Sequence, residues 1–435
     1  MAGLPQESST EPEATTRHGN HVVKPWVYPP ETKCIPEEQF IDLEVIDLSV
    51  PFSSSIDLST DTSGCATSSA GYRGPGHDDR DISSTPSPQD QEIITRVLKA
   101  FHSTGLVALK GHGLASQEIQ RQFDLGRLLN EDVGEEEKQT LHARIKEEGS
   151  WAGYKPRGYY KRPDGSHDYI EHYDFYPFTA LESRLPEIAK PYLNEFRGFI
   201  EYNHYVILRK VLAVISLGLG LERDFLWRLH HRGDVSNGVL QPNRSDEEFQ
   251  EWKHCKDHLR YAMYHPPSEE DRERRKKIWL PGHTDIGSVT FLYSQSIAGL
   301  QILTPNGEWK YIRHYPDHII VDLGDSMEFL TGGVLKAAPH RVIEPPEDQR
   351  YLKRLGIFFF VPFLPEVQLR VIDHPSLRKL GAKDMFDEYY RLGGKPLTQA
   401  EWLVMKSKLV GTKRVQREKR EPVDVLEDIH YRYNP

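Results

Sequence analysis

Cysteine is scarce in this chain: three residues, Cys34, Cys65 and Cys255, stand far apart and form no Cys-x-x-Cys pair. That excludes a disulfide framework and a zinc ribbon, and it fits a reducing compartment. Long apolar runs are missing, since no stretch approaches the roughly 18 to 20 apolar residues that span a bilayer. An excess of positive charge is missing too: 55 Lys and Arg face 65 Asp and Glu, a net charge of −10, with the basic residues spread along the chain. Neither a nucleic-acid partner nor a membrane partner is expected. The first twenty residues hold acidic groups and no apolar run, so no secretory signal or transit peptide is expected, and the C-terminal Tyr-Asn-Pro is no peroxisomal address. A cytoplasmic location follows by default. There is no internal repeat.

Core material is ample, with 37% hydrophobic content over 435 residues, enough for one large domain or two ordinary ones. Residues 1–35 are polar and rich in Pro, Ser and Thr, as a disordered tail would be. An N-terminal α/β region is expected over 36–255. It opens at FIDLEVIDLSV, where Ile41, Leu43, Val45, Ile46, Leu48 and Val50 suggest a buried strand. Residues 53–88, crowded with Ser, Thr, Gly and Asp, read as a surface insertion. Ile93, Ile94, Val97, Leu98 and Phe101 recur at three- and four-residue steps, which predicts an amphipathic helix ending at Gly105, followed by the strand LVALKGHG. A longer helix is predicted from about Pro191 to Leu219, with Leu193, Phe196, Ile200, Ile207, Val211 and Val214 on one face. From Leu259 the texture changes to short β-rich runs between turn residues: LRYAMYH, SVTFLYS, GLQIL, WKYIRHY, HIIVDLG and RLGIFFFVPF. Such runs predict a barrel or jelly roll over 256–365 rather than a parallel α/β sheet. Residues 366–435 return to helical, charged sequence, FDEYYRLGG and LTQAEWLVMKSKLV, expected to pack on the barrel.

An iron site of the facial-triad type takes two imidazoles and one carboxylate on one face of the metal and leaves positions open. His-x-Asp supplies two of these, because residues i and i+2 of a strand point the same way. The pattern occurs at His77-Asp78-Asp79, His172-Tyr173-Asp174 and His283-Thr284-Asp285. His77 falls in the Ser/Gly-rich insertion. His172 precedes the barrel in an aromatic stretch with no later partner of suitable type. Only His283 opens a strand run, LPGHTDIGSVTFLYS, with APHRV and then RLGIFFFVPF downstream. His283, Asp285 and His340 are thus the candidate metal ligands.

In this order the motifs resemble the isopenicillin-N-synthase-like family of 2-oxoglutarate and iron(II)-dependent dioxygenases. The matches are His283-Thr284-Asp285, Gly299-Leu300-Gln301, Gly324-Asp325, His340-Arg341-Val342 and Arg354-Leu355-Gly356, with IDLSVPF and GLVALKGHGL upstream. The resemblance spans about Ile41 to Pro365. It implies a double-stranded β-helix (jelly roll), mainly β with flanking N- and C-terminal helices, and it implies Fe(II), 2-oxoglutarate and O2 as cofactor and cosubstrates. A small organic molecule, in specialised metabolism, would be hydroxylated, desaturated or cyclised while 2-oxoglutarate gives succinate and CO2.

The resemblance also assigns roles. Arg354 stands where the family's arginine meets the far carboxylate of 2-oxoglutarate, with Arg350 as the register alternative. A planar guanidinium suits that task because it donates two parallel hydrogen bonds and stays charged when desolvated. Two positions depart from the family: Gly356 replaces a serine, and His265 in MYHPP replaces the tyrosine before the family's proline, which makes His265 the second cosubstrate candidate. Substrate-facing residues are implied in WAGYKPRGYYKRPDGSHDYIEHYDFYPF. There Tyr154, Arg157 and Phe175 are candidates to line a pocket for a flat molecule, or else to serve ordinary β packing. The same residues leave open an iron oxidase that works without 2-oxoglutarate, a non-catalytic binding protein on the same barrel, and a zinc hydrolase.

Overall fold

The computed structural model describes residues 17–18, 21–49, 86–148, 150–160, 165–176, 181–231, 235–236, 239–240, 256–409 and 420–432. Two sheets carry the fold. In chain order their strands are β1 (Phe40–Ile41), β2 (Val45–Asp47), β3 (Leu106–Lys110), β4 (Gly153–Lys155), β5 (Ile170–Phe175), β6 (His258–Tyr264), β7 (Ile278–His283), β8 (Val289–Tyr293), β9 (Leu300–Leu303), β10 (Trp309–Ile312), β11 (Ile319–Leu323), β12 (His340–Ile343) and β13 (Arg354–Val361). The larger sheet runs β2-β3-β11-β8-β13-β6-β5-β4, and the smaller runs β7-β12-β9-β10-β1. From β6 to β13 the neighbours pair antiparallel and divide between the two sheets, the arrangement of a jelly roll.

Strand alternation gives the larger sheet two faces. On the outer face Tyr173, Phe175, Leu259, Tyr261, Leu355 and Phe359 are wholly buried. They pack in one core with the helices α1 (Pro88–Ser103), α2 (Ser116–Arg127), α3 (Leu193–Tyr202) and α4 (Arg209–Gly218). The Phe196 ring of α3 lies 5.5 Å from Phe175 and 5.8 Å from Tyr261. At Gly126 of α2 a Cβ would come within 2.8 Å of the Tyr261 ring, so glycine is what lets this helix lie so close. Each large apolar side chain buried here contributes about 1.5 to 3 kcal/mol. The inner face carries the residues one step away, His172, Arg260, Tyr264, Arg354, Phe358 and Phe360, and they face a cavity.

The amphipathic helix forms where its spacing predicts: Ser87 caps α1, and Gly105 follows it with φ of 75°. Ser87 and Pro88, assigned above to the insertion, therefore belong to the helix cap and first turn. Residues 53–85 of the expected insertion lie outside the described residues. The predicted 191–219 helix is interrupted: α3 and α4 are separated by a π turn over Asn203–Leu208. FIDLEVIDLSV is not one strand, because β1 joins the smaller sheet and β2 the larger.

The expected tail needs correction over residues 21–35. Val23 is 1% exposed, the Trp26 amide donates to Asp124 Oδ1 at 2.8 Å, and the carbonyls of Pro29 and Pro30 accept from Ser296 Oγ and Gln349 Nε2. Proline has no N–H to satisfy, so this strip docks through its carbonyls without needing a strand partner. Across the expected boundary at 256 the two regions share one sheet, since β6 pairs with β5. At the C-terminus α5 (Gln399–Leu409) and α6 (Pro422–Tyr431) pack on the barrel, and Trp402 is fully buried. Among the described residues no helix is long and apolar enough to cross a membrane.

Candidate active site

β7 ends on His283 and β12 begins on His340, and the two are direct partners in the antiparallel ladder. Asp285 lies in the loop just after β7. Ligand atoms from these three residues all lie within 4.8 Å of one another, and no other group of this kind occurs among the described residues. Both imidazole Nε2 atoms look at Asp285 Oδ1, at 3.8 and 3.9 Å. Each Nδ1–H donates to a carbonyl two residues earlier, His283 to Pro281 at 2.8 Å and His340 to Ala338 at 3.0 Å. That fixes the tautomer with the Nε2 lone pair turned inward, the orientation a metal-binding histidine needs. Thr290 Oγ1 donates to Asp285 Oδ2 at 2.5 Å, leaving Oδ1 for a metal. Burial, and then the neighbouring His340, pushes the His283 pKa well down, so the ring is neutral and able to ligate. The donor set fits iron(II). Of the rival His-x-Asp pairs, His77 lies outside the described residues, and His172 sits on β5 with its Nδ1 3.2 Å from Asp174.

A cavity of about 1040 Å³ runs from this triad into the barrel. Its inner end is apolar, with Leu106, Leu292, Leu300, Ile312 and Ile320 on its wall, and Arg354 stands among them. Arg354 is 3% exposed. Its Nε donates to the Ile297 carbonyl at 3.3 Å, while Nη1 is buried with no hydrogen-bond partner among the described residues. A guanidinium left unsatisfied in an apolar wall is costly unless an anion completes it. Tyr264, the ladder partner of Arg354, places its ring 5.3 Å from the guanidinium.

His265, assigned above to the cosubstrate, points elsewhere. It is one step further along the chain, so alternation turns it away from the cavity, and its Nε2 bonds Glu171 Oε1 at 2.6 Å. Tyr264 takes the cavity position instead. The missing serine at Gly356 also has a structural reason: a Cβ there would lie 2.6 Å from the Phe358 ring, which fills the space.

The three expected pocket residues do not line the cavity. Tyr154 is 3% exposed and its hydroxyl donates to Glu171 at 2.5 Å, Phe175 sits in the core beside Phe196, and Arg157 is exposed. Residues an odd number of steps away do line it: Lys155, next to Tyr154 on β4, and His172, three before Phe175 on β5. Arg260 on β6 joins them, bound to its ladder partner Asp174 through two hydrogen bonds of 2.6 and 2.7 Å. Burial alone would raise the Asp174 carboxyl, but Arg260 holds it well below the usual range. Burial, and then Arg260, pushes His172 down to about 3, so its ring is neutral. Sequence reasoning missed these residues although the period-2 alternation of IEHYDF and HLRYAMY carries the signal.

The C-terminal helices close the outer end. Lys406 of α5 donates to the Thr284 carbonyl at 2.7 Å and to Asp325 Oδ2. Trp402 Nε1 reaches the same carboxylate at 3.2 Å, and Thr284 Oγ1 donates to its other oxygen at 2.6 Å. The Asp325 amide in turn donates to the Asp285 carbonyl at 2.8 Å. Asp325, the acid of the Gly-Asp motif, therefore ties the His-Thr-Asp loop to helix α5.

Residues 256–361 match the profile of the 2OG-Fe(II) oxygenase superfamily, and residues 80–193 match that of the non-haem dioxygenase in morphine synthesis N-terminal region. The chain belongs to the 2OG-Fe(II) oxygenase superfamily. It is 28% identical to a UPF0676 protein of Schizosaccharomyces pombe over 73% of this chain and 88% of that one. It is 33% identical to a 2-oxoglutarate-dependent dioxygenase of Gibberella zeae over 38% of this chain and 43% of the relative. Among solved structures, a full-length Neurospora crassa protein in complex with alpha-KG and thymine superposes with a TM-score of 0.61 at 16% identity, over 87% of this chain and 99% of that one. JOX2 in complex with 2OG, Fe and JA gives 0.52 at 17%, over 87% and 98%. The enzyme is a 2-oxoglutarate-dependent iron(II) dioxygenase, using Fe(II), 2-oxoglutarate and O2. The readings as an oxidase without 2-oxoglutarate, a non-catalytic barrel and a zinc hydrolase fall away.

Proposed function

We propose that this dioxygenase holds iron through His283 Nε2, Asp285 Oδ1 and His340 Nε2, and seats the far carboxylate of 2-oxoglutarate on Arg354. In this reading it oxidises a small organic molecule bound at the outer end of the cavity. The observation that carries the reading is the pairing of an inward-facing donor triad with a buried guanidinium lacking an anion, in one cavity. Both of these solved relatives carry a small molecule besides 2-oxoglutarate, thymine in the Neurospora crassa protein and JA in JOX2. When bound, iron(II) with 2-oxoglutarate supplies the activation of O2 that oxidises the substrate, with succinate and CO2 formed.

The protein's own part is positioning and exclusion of water. The Pro281 and Ala338 carbonyls keep each imidazole in its ligating tautomer, and Thr290 turns the Asp285 carboxylate. Arg354 and the Tyr264 ring fix the far end of 2-oxoglutarate in an apolar pocket. Helices α5 and α6 cover the outer end, so the substrate reacts out of bulk water. The test is succinate formation by the iron-loaded protein against 2-oxoglutarate concentration, in the wild type and in Arg354→Leu. A wild type that consumes O2 and substrate without 2-oxoglutarate would remove Arg354 from this role.

A further inference from the structure

The two ends of the cavity differ in how their cations are balanced. Arg354 has no carboxylate beside it among the described residues: it meets the Ile297 carbonyl and the Tyr264 ring. The outer end is the opposite case. Lys155 holds Asp168, Arg260 holds Asp174, Lys406 holds Asp325, and Arg432 holds Glu328 at 2.7 Å. Each of these four charges is matched inside the protein, in surroundings where an incoming anion would have to displace a carboxylate already hydrogen-bonded. An incoming cation would meet the same obstacle in reverse.

The outer end also has a flat lining. His258 stacks on Phe360 at 5.0 Å and 22°. The Arg260 guanidinium lies 4.7 Å from the Phe360 ring centre and 5.2 Å from that of Trp151, and Trp151 stacks on His172 at 5.8 Å and 30°. Planar groups follow one another along one wall, with the guanidinium between two rings. Nearby, the Tyr160 hydroxyl is buried with no hydrogen-bond partner among the described residues. Aromatic faces attract other π systems in offset stacks, and a guanidinium adds cation–π attraction.

From this balance of charge and shape we infer that the substrate is an uncharged planar ring compound, lying against the Trp151, Arg260 and Phe360 wall, and that carboxylate-bearing molecules are rejected there. The inference rests on the outer end being the substrate site of the dioxygenase. It selects a chemical class by charge: 2-oxoglutarate, a dianion, is directed to the unmatched Arg354, and the neutral ring to the matched outer wall.

The test uses the full chain loaded with Fe(II) and 2-oxoglutarate under anaerobic conditions, titrated calorimetrically with matched pairs: uracil and orotate, cinnamamide and cinnamate, benzamide and benzoate. The neutral member should bind at least tenfold more tightly than its carboxylate in every pair that binds. Trp151→Ala should weaken the neutral member about tenfold, in line with the loss of one stacking partner. Asp168→Asn, which leaves Lys155 unmatched, should shift the preference toward the carboxylate by tenfold or more. Asp174→Asn should do the same through Arg260, and Asp168→Asn keeps the test alive if that more deeply buried change prevents folding. Equal or tighter binding of the carboxylates, no binding by any neutral member, or a preference unmoved in Asp168→Asn overturns the inference. Calorimetry of 2-oxoglutarate alone separates the two claims: normal Arg354-dependent binding with a failed preference sinks only this inference, whereas absent or Arg354-independent binding sinks the reading on which it rests.

Discussion

Strand β13 connects two regions of one cavity that solve opposite electrostatic problems. It starts at Arg354, among apolar side chains and without a counter-ion, and runs about 20 Å along an extended strand to Phe360, beside the charge-matched Arg260. The first region is incomplete by itself, since a buried guanidinium needs an anion. The second is complete, since Arg260 and Asp174 are ladder partners on adjacent strands and satisfy each other. Between them lie His283, Asp285 and His340. The contrast teaches that a cation in a cavity wall identifies a ligand only after its protein partners are counted. Arg354 and Arg260 share a residue type and a sheet face, and only one of them awaits an anion.

The largest effect should come from removing what lies between the two regions. His283→Ala, Asp285→Ala and His340→Ala are each expected to lose iron, measured by metal analysis after desalting, and to lose turnover while circular dichroism stays that of the folded protein. Next is the inner region. Arg354→Leu should raise the apparent KM for 2-oxoglutarate on the order of a hundredfold or more, because truncating one partner of a buried charge pair costs about 3 to 5 kcal/mol. Substrate affinity measured at saturating 2-oxoglutarate should change little, and an equal loss at both sites would break the distinction between the regions.

How much of this is readable from the sequence depends on the side of each strand. The triad is legible because His-Thr-Asp, Gly-Asp and His-Arg-Val keep their order with strands around them, and Arg354 because it leads an apolar strand. The helix over 88–103 is legible from its spacing and cap. The wall residues are not, because Lys155 stands one residue from Tyr154 and His172 three from Phe175, and in a strand any odd step crosses the whole thickness of the sheet. Chemistry misleads as well: Tyr154, Tyr173 and Phe175 serve the helix-packed core, while Lys155, Asp168 and His172 line the cavity beside Trp151 and Tyr160. His265 and Tyr264 repeat the same one-step error. The tie from Lys406 through Asp325 to the His-Thr-Asp loop joins positions far apart in sequence, and no local pattern announces it.

Smaller effects sharpen the contrast. Lys406→Met should weaken iron binding about 10- to 100-fold, as losses behind metal ligands do, because Asp325 then keeps only the longer contact to Arg432 at 3.4 Å and the Thr284 carbonyl of the His-Thr-Asp loop loses its anchor. Competition with a chelator of known affinity measures it. Gly356→Ser should raise the KM for 2-oxoglutarate a few-fold rather than lower it, since the new Cβ must push the Phe358 ring aside; overpacking of this kind costs about 1 to 3 kcal/mol. Smallest of all, Arg157→Ala should leave both KM values within about twofold, as exposed substitutions stay within roughly 0.5 kcal/mol.

Anaerobic titration of the iron-loaded protein with 2-oxoglutarate, followed by the visible charge-transfer absorption of the iron complex, addresses triad and arginine together. The wild type should develop a saturable band, the three triad variants none, and Arg354→Leu the same band at a 2-oxoglutarate concentration on the order of a hundredfold higher. A wild type without the band, or an Arg354→Leu titration that overlays it, would contradict the assignment of the two regions.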